Sequence, residues 1–155
     1  MSDFLDFAGV RIQHLTKLSD RQDYCLVKVE LDPGVGMSLH THPERETAFV
    51  LSGEFEAWTE DEGWVVLPPG GIVDVMENKK HAGRNSASSS EKTVLLIATT
   101  TNMGRLIDEV GRPVDSVQPG PPDPEAIQHF IEVSLSYGHW FGTPEENATI
   151  GFSME

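Results

Sequence analysis

Two histidines one residue apart, with a glutamate four residues beyond, sit in the stretch GVGMSLHTHPERETAFVLSG between Gly34 and Gly53. No other stretch constrains the fold as tightly. In a strand, side chains alternate between faces, so Ser38, His40 and His42 point one way and Met37, Leu39 and Thr41 the other. Pro43 ends that strand and the chain turns through Pro43-Glu44-Arg45. Glu46 then opens a second apolar strand, AFVL, which stops at Ser52-Gly53. Two neighbouring strands thus bring two imidazoles and one carboxylate to a common point. Neutral imidazole and carboxylate are ligands for Zn, Fe, Mn, Ni, Co or Cu.

Gly34, His40, His42, Glu46 and Gly53 also fill the fixed positions of a known motif: a glycine, five residues, His-x-His, three or four residues, a glutamate, six residues and a glycine. On this match the sequence resembles the cupin superfamily, in particular its small single-domain bacterial members. The resemblance implies an all-β fold, an antiparallel double-stranded β-helix (jelly-roll barrel) holding one divalent transition metal near its centre. It also implies a second motif: glycine, five residues, Pro-x-Gly, two residues, histidine, three residues, asparagine. A start at Gly63 uses Pro69 and Gly71 but puts Asp74 where the histidine belongs and Asn78 at the asparagine. That start leaves too little chain for the hairpin described below, and gives no role to His81 or Asn85. A start at Gly70 places Met76 for the proline, Asn78 for the glycine, His81 as the ligand and Asn85 at the close. Asn at the glycine position is reasonable, because Asn tolerates the left-handed turn conformation. His40, His42, Glu46 and His81 are therefore the expected metal ligands, with Glu46 also the candidate catalytic residue. Asp74 is expected to point outward.

A chain of 155 residues suits a single domain with a real core. Fourteen Gly and ten Pro supply the turns that an all-β fold needs. The net charge of −14 argues against nucleic acid or an anionic membrane as partner. The single cysteine, Cys25, excludes an intramolecular disulfide and fits a reducing, cytoplasmic setting. No apolar run is long enough to span a membrane, and MSDFLDF lacks the features of a secretion signal. Asn147-Ala148-Thr149 matches the glycosylation pattern, and chance explains it in a chain without such a signal.

Along the rest of the chain, residues 8–15 read as a strand, with His14 a structural or exposed residue. Thr16–Asp23 reads as a loop. Tyr24–Leu31 alternates as a strand with Cys25 on the apolar side, a small buried hydrophobe. Phe55–Trp58 and Trp64–Leu67 flank an acidic turn and form a hairpin, with Gly63 left-handed and Trp58 packing across on Trp64. Val94–Thr100 is a buried closing strand. Residues 1–102 are taken as the barrel and 103–155 as a helical tail packed on it or on a dimer partner. In the tail, Asn102 is expected to cap a short helix ending at Gly111. Asp123-Pro124-Glu125 starts a second helix with an apolar stripe of Ile127, Phe130, Ile131 and Leu135, ended by Gly138. His129 and His139 are read as surface or packing residues, with His139 or Trp140 the tail residues placed to reach a site.

What the resemblance implies about chemistry is broad, because a fold does not fix a reaction. The leading expectation is a metal-dependent enzyme acting on a small organic substrate, a dioxygenase-type oxidoreductase. Ala48 and Val50 suggest a partly apolar pocket, better suited to an aromatic or small organic acid than to a sugar. The alternatives are a non-redox isomerase, lyase or cyclase, and a non-catalytic barrel that binds a small ligand. Exposed sheet edges and the stripe on the second helix point to a homodimer.

Overall fold

β1 (Leu5–Phe7) and β2 (Val10–His14) form a hairpin. Its turn is Ala8-Gly9, both with positive φ, so the strand expected over residues 8–15 is shorter and is preceded by one the sequence did not reveal. The computed structural model describes residues 4–18, 24–118 and 120–153. Residues 19–23 of the expected Thr16–Asp23 loop lie outside the described residues.

The next eight strands nest inside one another. β3 (Cys25–Leu31), β4 (Gly36–Thr41), β5 (Glu46–Ser52) and β6 (Phe55–Thr59) run out along the chain. β7 (Gly63–Leu67), β8 (Ile72–Val75), β9 (His81–Arg84) and β10 (Thr93–Thr99) come back. β6 pairs with β7, β5 with β8, β4 with β9 and β3 with β10, all antiparallel. This is one long hairpin rolled on itself, a jelly roll. The rolling produces a seven-stranded sheet and a five-stranded sheet. Their inner faces enclose a core in which Leu31, Val50 and Leu95 have no exposed surface. β3 shows the alternation read from its sequence: Cys25, Val27, Val29 and Leu31 are buried and the residues between them are not.

Two strand details differ from the sequence reading. Trp58 and Trp64 are register partners, and Gly63 has φ +70°, as the hairpin requires. The Trp64 ring, however, takes the Arg84 guanidinium at 4.0 Å. In β4 the pairing with β9 runs Met37 to Gly83 and then His40 to His81, so three steps on β4 match two on β9. This bulge breaks strict alternation. Met37, expected to face away from the histidines, lines the same cavity as His40.

The segment after residue 102 touches both sheets. α1 (Thr101–Val110) is capped by the Thr100 hydroxyl on Met103 N; Asn102 instead sits inside the first turn. β11 (Arg112–Pro113) pairs with β1 at the edge of the larger sheet. α2 (Pro124–Ser136) has Asp123 as N-cap and Pro124 at its first position, as read from the sequence, and Gly138 follows at φ +87°. Leu135 is exposed, so the inward stripe is Ile127, Phe130 and Ile131. β12 (Trp140–Phe141) pairs with β4 at the edge of the smaller sheet. α3 (Pro144–Thr149), not foreseen, opens with a Thr143/Glu146 capping box. Asn147 on α3 is fully buried. Its Oδ1 accepts from Leu39 N at 2.8 Å, satisfying a donor inside the bulged stretch of β4. Among the described residues no helix is long and apolar enough to cross a membrane.

Candidate metal centre

His40 lies near the end of β4, directly opposite His81 at the start of β9. His42 follows β4, and Glu46 opens β5, in the other sheet. The bulge, the Pro43 turn and the roll of the two sheets bring these four side chains together. One ligand atom from each of His40, His42 and His81 lies within 4.8 Å of the others. Glu46 Oε1 is 3.1 Å from His81 Nε2 and 3.5 Å from His42 Nε2. Asp74 is on the outer surface, bound to Arg45 at 2.7 Å and to the Thr47 hydroxyl. His14 is 2.9 Å from Asp108 on α1, away from the cluster. Cys25 is fully buried, its thiol donating to Thr100 O.

The second motif follows the Gly70 start. Asn78 has φ +60°, the left-handed conformation expected of a glycine substitute. Asn85 is a structural residue: its Nδ2 donates to Leu31 O and Glu91 O and ties strand ends together. Gly83 faces Phe55 so closely that any Cβ would run into the ring. That close approach packs β9 beside the site.

The three imidazoles share one orientation. Nδ1 of His40 bonds Ser38 O at 2.6 Å, Nδ1 of His42 bonds Glu44 O at 2.8 Å and Nδ1 of His81 bonds Lys79 O at 2.8 Å. A carbonyl only accepts, so each Nδ1 carries the proton and each neutral ring directs its Nε2 lone pair to the common point. For His42 and His81 that lone pair meets a carboxylate oxygen. Two electron-rich atoms face each other there, and only an added proton or a cation between them reconciles the contact. His42 Nε2 is buried and in no well-aligned hydrogen bond. The donor set, tautomers and convergence all fit a divalent ion.

Protonation behaviour in the absence of such an ion follows from the same packing. Burial, reinforced by His81 and His42, holds His40 well below the ordinary imidazole value. Burial also pushes His42 down, but hydrogen bonding and charge from Glu46 outweigh it and raise His42. Burial would raise Glu46, yet His42 and His81 hold it well below the usual carboxylate range.

A second buried group stands behind His42. Glu44, read from the sequence as part of a turn, is 3 % exposed. It accepts from Asn102 Nδ2 at 2.9 Å, and its other oxygen is 3.6 Å from His139 Nε2. His139 is therefore not a surface residue: it is buried, with its ring 5.2 Å from that of His42. No sequence pattern marks this pairing, because Glu44 and His139 are separated by most of the chain. Only the expectation that His139 or Trp140 reaches a site pointed toward it.

A cavity of about 340 Å³ opens beside the cluster, lined by His40, His42 and Glu46 and otherwise mainly by apolar side chains. Val50 takes no part, being fully buried in the core, and Ala48 lines only a separate pocket of about 30 Å³ on the β6–β9 side. The apolar character of the main cavity comes from Val10, Ile12, Val27 and Ile97 and from the tail.

Residues 27–98 match the family model of the cupin domain. Among solved structures, the chain is similar to a cupin-like protein from Thermotoga maritima, with TM-score 0.54 and 20% identity over 65% of this chain and 74% of that one. It is similar to KdgF from Halomonas sp., with TM-score 0.55 and 20% identity over 64% of this chain and 86% of that one. A third likeness is to the polyketide cyclase RemF from Streptomyces resistomycificus, with TM-score 0.53 and 17% identity over 60% and 66% of the two chains. At such identities the likeness is one of fold. No curated protein matches the sequence.

Proposed function

We propose that this chain, whose residues 27–98 are a cupin domain, is a metal-dependent enzyme acting on a small organic substrate. His40, His42, His81 and Glu46 are the proposed ligands of one divalent transition metal. The observation that carries this reading is the convergence of three Nε2 lone pairs, each ring fixed by an Nδ1 bond to a backbone carbonyl. A bound ion would supply Lewis acidity and, if it is iron, manganese, nickel or copper, redox chemistry with O2.

The chain's own groups divide the remaining work. The apolar walls exclude water and hold the organic part of the substrate. Glu46 would hold the ion as a carboxylate and, once displaced from it, would be the base beside the substrate. The main reading is a dioxygenase-type oxidoreductase, supported by an apolar cavity that suits both an organic substrate and O2. The second reading is a non-redox isomerase, lyase or cyclase. It is supported by Glu46 itself, an ionised carboxylate lining the cavity, because such reactions turn on proton abstraction.

Elemental analysis of protein purified without a metal-affinity tag tests the site. Stoichiometric metal is expected, and none even after reconstitution would overturn the proposal. Oxygen-electrode assays with candidate phenols and organic acids then divide the readings. Metal-dependent O2 uptake supports the first; conversion without O2 uptake overturns it and leaves the second.

The division into a barrel of residues 1–102 and a tail of 103–155 belongs to the same reading, as does a homodimer. Exposed Val66, Ile72 and Met76 on or beside the edge strands β7 and β8 support a second copy as partner. A monomeric mass by light scattering at micromolar concentration would remove the dimer.

A further inference from the structure

The cavity beside the histidines is closed by residues outside the matched 27–98 region. Ile127, Phe130 and Ile131 on α2 and Phe141 on β12 form its outer wall. Ile127, Phe130 and Ile131 follow the helical spacing of an inward face, yet none of the four is fully buried, and the only buried residue of α2 is Ser134. Phe130 leans on the core while it, Ile127 and Ile131 turn their remaining surface to the cavity. The aromatic members form a continuous surface. Phe130 meets Phe7 edge-on at 4.9 Å and Phe141 at 5.6 Å, and Phe141 stacks toward His40 at 6.4 Å with 27° between the rings.

The polar lining groups gather at one pole. Beside His40, His42 and Glu46 they are Ser38, whose carbonyl holds His40, Thr99, whose hydroxyl donates to the carbonyl next to Glu46, and His139, next to His42. No Lys or Arg lines the cavity among the described residues. A phosphorylated ligand would find no cation there, and a sugar would leave most of its hydroxyls unpaired against apolar walls. The volume, about 340 Å³, lies at the small end of the ~300–1,000 Å³ range of ligand pockets.

We propose that the segment from Ile127 to Phe141 is the specificity element of the site, and that it selects a ligand with one oxygen-donor head and a flat, apolar, ring-sized body. The head meets the metal and the body lies against Phe130 and Phe141. This rests on the proposed metal centre.

The test uses the full chain loaded with cobalt(II) and two probes that chelate through two oxygens. 4-Nitrocatechol carries a ring; acetohydroxamate does not. Ile131→Trp fills the cavity and Phe130→Ala removes its aromatic wall. Each is expected to weaken 4-nitrocatechol about tenfold, of the order expected for losing one aromatic contact and its burial, while acetohydroxamate stays within about twofold. Phe130→Leu, which keeps the volume, is the control for folding and is expected to lie between. If both probes weaken equally, or neither changes, the tail is not the specificity element and the proposal fails. If cobalt binds and wild-type protein takes up acetohydroxamate but not 4-nitrocatechol, the ligand class is wrong. Failure to bind cobalt at all would instead overturn the metal centre.

Discussion

The nested strands, with α1 packed into their core through Met103, Leu106, Ile107 and Val110, and the segment from α2 onward are held by different means. β3 and β10 form a ladder of seven register partners, and the side chains on its inner face have almost no exposed surface. α2, by contrast, buries only Ser134. That later segment is fastened at a few points: Tyr137 to Glu109 on α1 at 2.7 Å, Asn147 to Leu39, His139 beside Glu44, and the short pairing of β12 with β4. A close-packed double sheet fixes side-chain directions to the tolerance a metal needs. On the inner face of α2 and its cap residue, Val133 and Tyr137 pack on the core while Ile127 and Ile131 line the cavity, so substitution is tolerated best at the cavity-lining positions. The ligand set therefore lies on the rigid part and the changeable wall on the attached part.

The largest expected effect comes from the rigid part. His81→Ala should abolish stoichiometric metal binding, measured by elemental analysis, while circular dichroism shows the strands intact. If His81→Ala retained its metal and Asp74→Ala lost it, the ligand set would be wrong. Next in size is the junction. Asn147→Ala leaves Leu39 N without its acceptor and should cost about 1–3 kcal/mol in chemical unfolding. An unchanged midpoint would show that the tail does not brace the bulged strand.

Acid should act on the rigid part through its site. Glu46 has a depressed folded-state value, so its stabilisation is present above the unfolded value of about 4.3 and is lost as pH falls through the folded one. His40 is depressed too. The folded chain therefore binds fewer protons than the unfolded chain below about pH 6.5, and stability drops with pH from there. His42 is raised, so its contribution is present below about 6.5 and fades as pH rises through its folded value. The metal-free melting temperature should therefore fall below about pH 6.5 and fall further below about 4.3, and Glu46→Gln should shrink the lower step, to which Glu44, Asp32 and Asp74 also contribute. Identical profiles for the two proteins would contradict the coupling. The smallest effect belongs to Asp74→Ala, which breaks an exposed pair with Arg45. It should leave the unfolding midpoint nearly unchanged and the metal content unchanged, measured by chemical unfolding and elemental analysis.

The nested strands were legible because each carries its own record. β3 alternates residue by residue, Gly63 and Asn78 mark left-handed turns, and Asp123-Pro124 announces α2. What escaped was anything that depends on a neighbour. The bulge in β4 arises from pairing with β9, so strict alternation misplaced Met37. Thr100 displaced Asn102 as the cap of α1, and Asn102 went to Glu44. Glu44 looked like a turn residue because its burial partners come from α1 and from the tail.

His-x-His, the glutamate and the second motif were determined by the sequence alone, since local spacing is enough to set strand faces and turn types. The jelly roll around them was expected from the resemblance that those motifs carry, not from the alternation of the strands. Only the tertiary structure decided what surrounds the cluster. The roof of Ile127, Phe130, Ile131 and Phe141, and the burial of Glu44 against His139, bring together residues about a hundred positions apart. The helical period marked Ile127, Phe130 and Ile131 as an apolar stripe without saying what it faces, and the Glu44–His139 contact, set by how the chain packs after the strands have formed, leaves no periodic trace at all.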